Sequence, residues 1–242
     1  MSELEAELNE TFKLVKNGWN ILNSKTDAVF LLVATDRALD AKEKLEEAGK
    51  IWDTDKVRSL KLLAYVKWRI YTVKLWYSMT EVREETRLKL GEVKELAASY
   101  LAKARSTWSY VGTLLEEMGT RGDILNEAFK AYQLSKDSFM EGDYIATCIR
   151  AIKSLSYSEA SMASAIAEIT LKPDYLVQYS RRIALMNIAS ASRTVEPIIS
   201  ILYLKNGDLE KDVNSKVLLY KLSSYYAKLI RDLASLLIPE QL

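Results

Sequence analysis

Apolar residues in this chain recur every three or four positions, and nowhere do they alternate with polar ones over a useful length. That period belongs to the α-helix and not to the half-buried strand. Turn formers agree: eight Gly and three Pro in 242 residues are too few for a turn-dense sandwich or barrel, for collagen-like repeats or for Pro-rich disorder. With 49% of its residues apolar, the chain can bury a core. The expected fold is all-α, with about seven to nine helices folded back on one another as antiparallel hairpins.

The first helix is expected over about Glu3 to Leu22, with Leu4, Leu8, Phe12, Val15 and Trp19 on one stripe. Thr26 or Asp27 would cap a second that stops at Gly49, with Leu31, Ala34, Ala38, Ala41 and Leu45 buried. Asp53-Thr54-Asp55 offers capping oxygens for a third, to about Tyr77, which is apolar on nearly every side and so is expected to be the most buried. The charged stretch Glu81 to Lys94 either extends that helix or joins it to a fourth, which would stop at Gly119. Asp123 and Asp143 would cap a fifth and a sixth helix, and Pro173 begins a seventh that Pro197 kinks or divides. The last helix carries Val213, Val217, Leu222, Tyr225, Leu229 and Leu233 at helical spacing. No linker rich in Gly, Ser or Pro interrupts the chain, so residues 1–242 are expected as one helical domain, with the weakest seam near 171–174.

Several chemistries are closed by what is missing. The chain has no His and one Cys, so neither a His-based general base nor an intrachain disulfide is available, and a di-iron carboxylate bundle lacks its ligands. There is no Gly-x-Ser-x-Gly elbow and no phosphate-binding Gly-rich loop. Glu81, Glu84 and Glu85, or Glu116 and Glu117, could pair as acid and base only in stretches that read as solvated surface. No enzyme, cofactor or metal site is expected. The longest apolar run, Ala28 to Ala34, is far short of the roughly 20 residues of a membrane span, and the acidic N-terminus is unlike a secretory signal. A cytoplasmic protein is the expectation, and the scarcity of Gln, Cys and His resembles a thermophile's bias.

The net charge of +1 hides an alternation, with residues 1–55 at −5 and residues 56–105 at +7. Such segments favour packing against each other, and the pattern is unlike the single basic face of a nucleic-acid binder. On the third helix, Arg58, Lys61 and Arg69 fall on one side, while Lys67 and Lys74 fall on another.

A recurring element joins helices: Gly122-Asp123-Ile124, Gly142-Asp143-Tyr144 and Gly207-Asp208-Leu209. Gly can end one helix in the left-handed conformation while Asp accepts from the free N–H groups of the next. Around the second copy, Leu134, Ser135, Phe139, Tyr144 and Leu155 resemble a tetratricopeptide-type hairpin over some 30 residues, with Thr147, Ala151 and Glu159 departing from that pattern. The resemblance implies a tetratricopeptide-like array used for protein binding. Arg37 to Gly49, with Ser59 to Arg69 and Trp76-Tyr77, is similar to the Tyr- and Ala-rich helical region that follows the catalytic domain of archaeal Lon-like proteases. That similarity implies an accessory, noncatalytic part of a larger enzyme.

The leading expectation is a noncatalytic scaffold that binds a protein or another domain of a larger polypeptide. Because binding centres favour Trp, Tyr and Arg, the expected contact residues are Tyr65, Trp68, Arg69 and Trp76 on the third helix, with Thr72 between them. If that helix is instead core, the same aromatics are packing.

Overall fold

The computed structural model describes residues 2–20, 22, 24–80, 90–120, 123–170 and 173–237. Among these, nine helices account for nearly all regular structure and no strand occurs, as the period-3.6 pattern requires. Their contacts group into two units, residues 1–88 with 237–242, and residues 89–236. The expected seam near 171–174 lies partly outside the described residues, and the helices on either side of it belong to the second unit.

In the first unit, α1 (Ser2–Gly18), α2 (Lys25–Ile51) and α3 (Lys56–Ser78) pack pairwise. Helix α1 closes at Gly18, short of Leu22, and Trp19 just beyond it is buried, its Nε1 donating to Thr35 Oγ1 at 2.9 Å. The cap of α2 is Ser24, whose Oγ accepts from the Asp27 N–H at 3.1 Å, in place of the expected Thr26 or Asp27. Gly49 does not stop that helix. An interior Gly costs only about 1 kcal/mol, and α2 runs to Ile51, whose carbonyl then accepts from Thr54 and Asp55. Asp55 caps α3 as expected, accepting from the Arg58 N–H at 2.9 Å. Leu8 of α1, Ala41 and Leu45 of α2, and Val66 and Ile70 of α3 form one cluster of the core.

The expectation that the third helix is the most buried is overturned. Helix α2 has fourteen buried residues, whereas α3 has four: Ser59, Val66, Ile70 and Val73. An apolar circumference allows burial on all sides without compelling it, and the neighbours of α3 cover only one of them.

The second unit comprises α4 (Leu90–Glu117), α5 (Asp123–Met140), α6 (Tyr144–Thr170), α7 (Pro173–Ala191), α8 (Ile198–Leu209) and α9 (Val213–Leu236). Helix α6 is its hub, packing against α4, α5, α7 and α9. Small residues make this possible. Ser135 of α5 donates to the Thr147 carbonyl of α6 and Ser154 of α6 donates to the Ala128 carbonyl of α5, each at 2.8 Å, so the two backbones run close together.

The helix-joining element is realised once in full. Gly142 takes φ +76°, Asp143 accepts from the Ala146 N–H at 3.1 Å, and Phe139 meets Tyr144 with ring centroids 5.6 Å apart. Gly119, at φ +68°, ends α4 in the same left-handed way. Gly122 lies outside the described residues. The third copy is a correction: Gly207 and Asp208 lie inside α8, and α9 begins after Glu210 and Asp212, the latter accepting from the Ser215 N–H. Gly207 is required for a different reason. A Cβ there would stand 2.6 Å from the ring of Tyr220, so a bare Cα is what lets that ring of α9 lie against α8. Pro197 divides the expected seventh helix, leaving α7 and α8 on its two sides.

Candidate functional site

The four residues expected to carry binding separate into three environments. Tyr65 and Arg69 are engaged inside the first unit. The Tyr65 hydroxyl donates to Asp40 Oδ2 at 2.6 Å, and Arg69 Nε approaches the same carboxylate oxygen at 2.8 Å and the Tyr65 hydroxyl at 2.6 Å. Burial, and then the hydrogen bond to Asp40, push the Tyr65 phenol up to about 12. The group therefore stays a neutral donor at physiological pH. Trp76 is half-buried, with its ring centroid 6.1 Å from that of Phe30 on α2. Trp68 alone faces outward, 55% exposed, with the Arg69 guanidinium 5.3 Å from its ring centroid. Tyr65, Trp68, Arg69 and Trp76 are thus neighbours on the helix without forming one open surface.

A different stripe is open. Val57, Leu60, Ala64, Trp68, Tyr71, Leu75 and Met79 are all exposed, with Val57 and Tyr71 each at 65%. Their spacings are three, four, four, three, four and four. At 100° per residue they fall within an arc of about 100°, on the side opposite the buried Val66, Ile70 and Val73. Helix α3 therefore has two apolar faces, one packed on its neighbours and one facing out. Averaged round the helix, two opposed faces look like uniform hydrophobicity, which is why the sequence read as a buried rod.

The charges of α3 are as one-sided as its apolar surface is two-sided. It carries six basic residues and no acidic one. Arg58 pairs with Glu47 at 2.7 Å, Arg69 with Asp40 at 2.8 Å and Lys74 with Glu7 at 2.5 Å, so the basic α3 pairs with the acidic first segment. Lys56, Lys61 and Lys67 are exposed and have no carboxylate partner among the described residues.

In the second unit, α4 and α5 border an open cleft of about 580 Å³. Leu101, Tyr132, Phe139 and Met140 line it together with Arg105 and Lys136. The lining Tyr132 stacks on Trp108, with centroids 6.1 Å apart and planes 5° from parallel. Elsewhere the polar side chains tie helices together: Glu159 of α6 accepts from Lys221 at 2.7 Å and from the Tyr225 hydroxyl of α9, and Tyr100 of α4 donates to Asp232 of α9 at 2.9 Å. Glu81, Glu84 and Glu85 lie outside the described residues, which contain no group of three or more His, Cys, Asp or Glu placed to hold a metal ion. Cys148 is fully buried, and burial pushes its thiol well above the usual range. No helix among the described residues is long and apolar enough to cross a membrane.

Fold and surface together define an all-α protein of packed helical hairpins whose third helix presents an uncovered apolar face. The chain matches no protein-family model, and comparison with curated proteins and with solved structures returns no relative. The likenesses to tetratricopeptide hairpins and to the helical region of Lon-like proteases rest on the quoted residues alone.

Proposed function

We propose that this chain is a noncatalytic helical module that binds another protein, and that α3 is its binding element. One observation supports the reading above all others: six positions of α3 and its C-cap Met79 expose apolar side chains in a single line, Trp68 and Tyr71 at its centre. The stripe is about 33 Å long and about 10 Å wide, so it covers about 300 Å². That is in the range of the largest apolar patch on a soluble monomer, which is often functional. Aromatic residues at the middle and aliphatic ones at the ends match the anatomy of a binding centre. The α5–α6 hairpin, with Gly142 at its turn and serines where the backbones approach, favours a tetratricopeptide-like use of hairpins as the supporting frame.

Affinity capture from lysate of the source cells, run in parallel with wild-type chain and with a Trp68→Glu, Tyr71→Glu double variant, tests the reading. Both side chains are exposed, so the variant is expected to keep its helical circular dichroism and its thermal midpoint within a few degrees. The expected result is a protein captured by the wild type and lost from the variant. An identical captured set from both would overturn α3 as the binding element.

A further inference from the structure

The stripe on α3 also carries information about what covers it. We infer that its occupant is an amphipathic helix whose apolar seam is flanked by Asp and Glu, a conclusion that rests on the interaction reading above. The spacing of three, four and four repeats every 11 residues, from Val57 to Trp68 to Met79. This is about 3.67 residues per turn, close to the natural 3.6, so the seam drifts only about 20° per repeat and stays along the helix axis. A second helix can therefore lie along the whole length of α3 with a slight right-handed supercoil. A heptad seam would drift the other way, and faster per residue, and would wind both helices left-handed.

Charge then selects among helices. Lys61 stands about 50° to one side of the centre of the stripe and Lys67 about 70° to the other, so both edges of the seam are basic. Lys56, about 90° from the centre on the Lys67 side, adds at the first turn a third cation unpaired among the described residues, while Arg58, Arg69 and Lys74 are already held by Glu47, Asp40 and Glu7. A helix with carboxylates on its own flanks would meet Lys61 and Lys67 at the rim of the contact, whereas one with basic flanks would be repelled. A second copy of α3 fits badly for this reason: it brings six more cations and no carboxylate. An anionic bilayer fits badly as well. A plane is broader than the stripe, and the helices beside α3 belong to a segment of net charge −5 that includes Glu3, Glu5, Glu7 and Glu10. A single helix touches the basic-edged seam and avoids those carboxylates.

The test uses the full chain and two synthetic helical peptides of equal length sharing one apolar seam, one flanked by Glu and the other by Lys. Calorimetric titration in about 50 mM salt should show the Glu-flanked peptide binding at least about tenfold more tightly, with the difference shrinking at about 0.5 M salt. Lys61→Glu combined with Lys67→Glu should reverse the preference, and Trp68→Glu combined with Tyr71→Glu should abolish binding of both peptides. Equal binding of the two peptides, or a preference untouched by the Lys changes, overturns the acidic partner. If the aromatic variant still abolishes that equal binding, α3 remains the docking face. If neither peptide binds and the aromatic variant still captures everything the wild type does, both the partner class and the interaction reading fail. Sedimentation with phosphatidylserine vesicles, or a concentration-dependent dimer, either of them lost in the aromatic variant, would replace the acidic helix by a membrane or by a second copy.

Discussion

Trp68 and Trp76 differ by eight positions on one helix and have opposite surroundings. Trp76 rests on Phe30 of α2, and Trp68 projects from the far side, beside Tyr65 and Arg69 of its own helix. Truncation should separate them. Trp68→Ala is expected to change the free energy of unfolding by no more than about 0.5 kcal/mol, while Trp76→Ala should cost about 1 to 3 kcal/mol through lost contact with α2. Urea unfolding of the two variants followed by circular dichroism measures both values. Equal losses would mean that the outward face of α3 is covered. Composition could not have told these two indoles apart, since each sits among aliphatic neighbours and near a basic residue. Only the direction from which α2 approaches distinguishes them.

At the scale of the helices, the capping rules were legible where they depend on a few adjacent residues and failed where a distant one intervened. Asp55, Gly119 and Gly142 with Asp143 do what their chemistry suggests. Gly207 and Asp208 look the same in sequence but serve a contact between α8 and α9. The Tyr220 ring lies against the bare Cα of Gly207, and its hydroxyl donates at 2.8 Å to Asp208, which also pairs with Arg181 of α7 at 2.7 Å. Gly207→Ala is therefore expected to destabilise the protein by about 1 to 3 kcal/mol although alanine is the better helix former, because a ring held at both ends cannot move aside. Thermal unfolding checks the sign: a variant as stable as the wild type would show that propensity outweighs the contact.

Across the whole molecule, tyrosine hydroxyls recur as the polar links between helices. Tyr65 donates to Asp40, Tyr100 to Asp232, Tyr220 to Asp208 and Tyr225 to Glu159. In each case burial is the first cause that pushes the phenol up, and the carboxylate beside it adds to the effect; Tyr65 and Tyr220 reach about 12, and Tyr100 and Tyr225 go higher. A folded-state value above the unfolded one favours the protonated, folded form. The stabilisation is then fully present below about pH 10 and is lost as pH rises through 12. Alkaline titration should show part of the phenolate absorbance appearing only with the loss of helical circular dichroism, in that pH window. Phenolate forming fully near pH 10 with the helices intact would contradict these links.

The sequence by itself determined that the chain is all-helical, roughly where most helices begin and end, and that the basic α3 pairs with the acidic segment before it. These properties depend on periodicity, caps and charge, which act over one or two turns or over whole segments and need no knowledge of neighbours. Which face of α3 meets α2, which glycine turns the chain and which merely admits a ring, and which aromatic residues remain outside were decided only in the tertiary structure. A helix with two apolar faces satisfies the helical period equally well with either one buried. The choice rests on the fit of Val66, Ile70 and Val73 into the core of the first unit, a packing condition between residues far apart in the chain that no local pattern encodes.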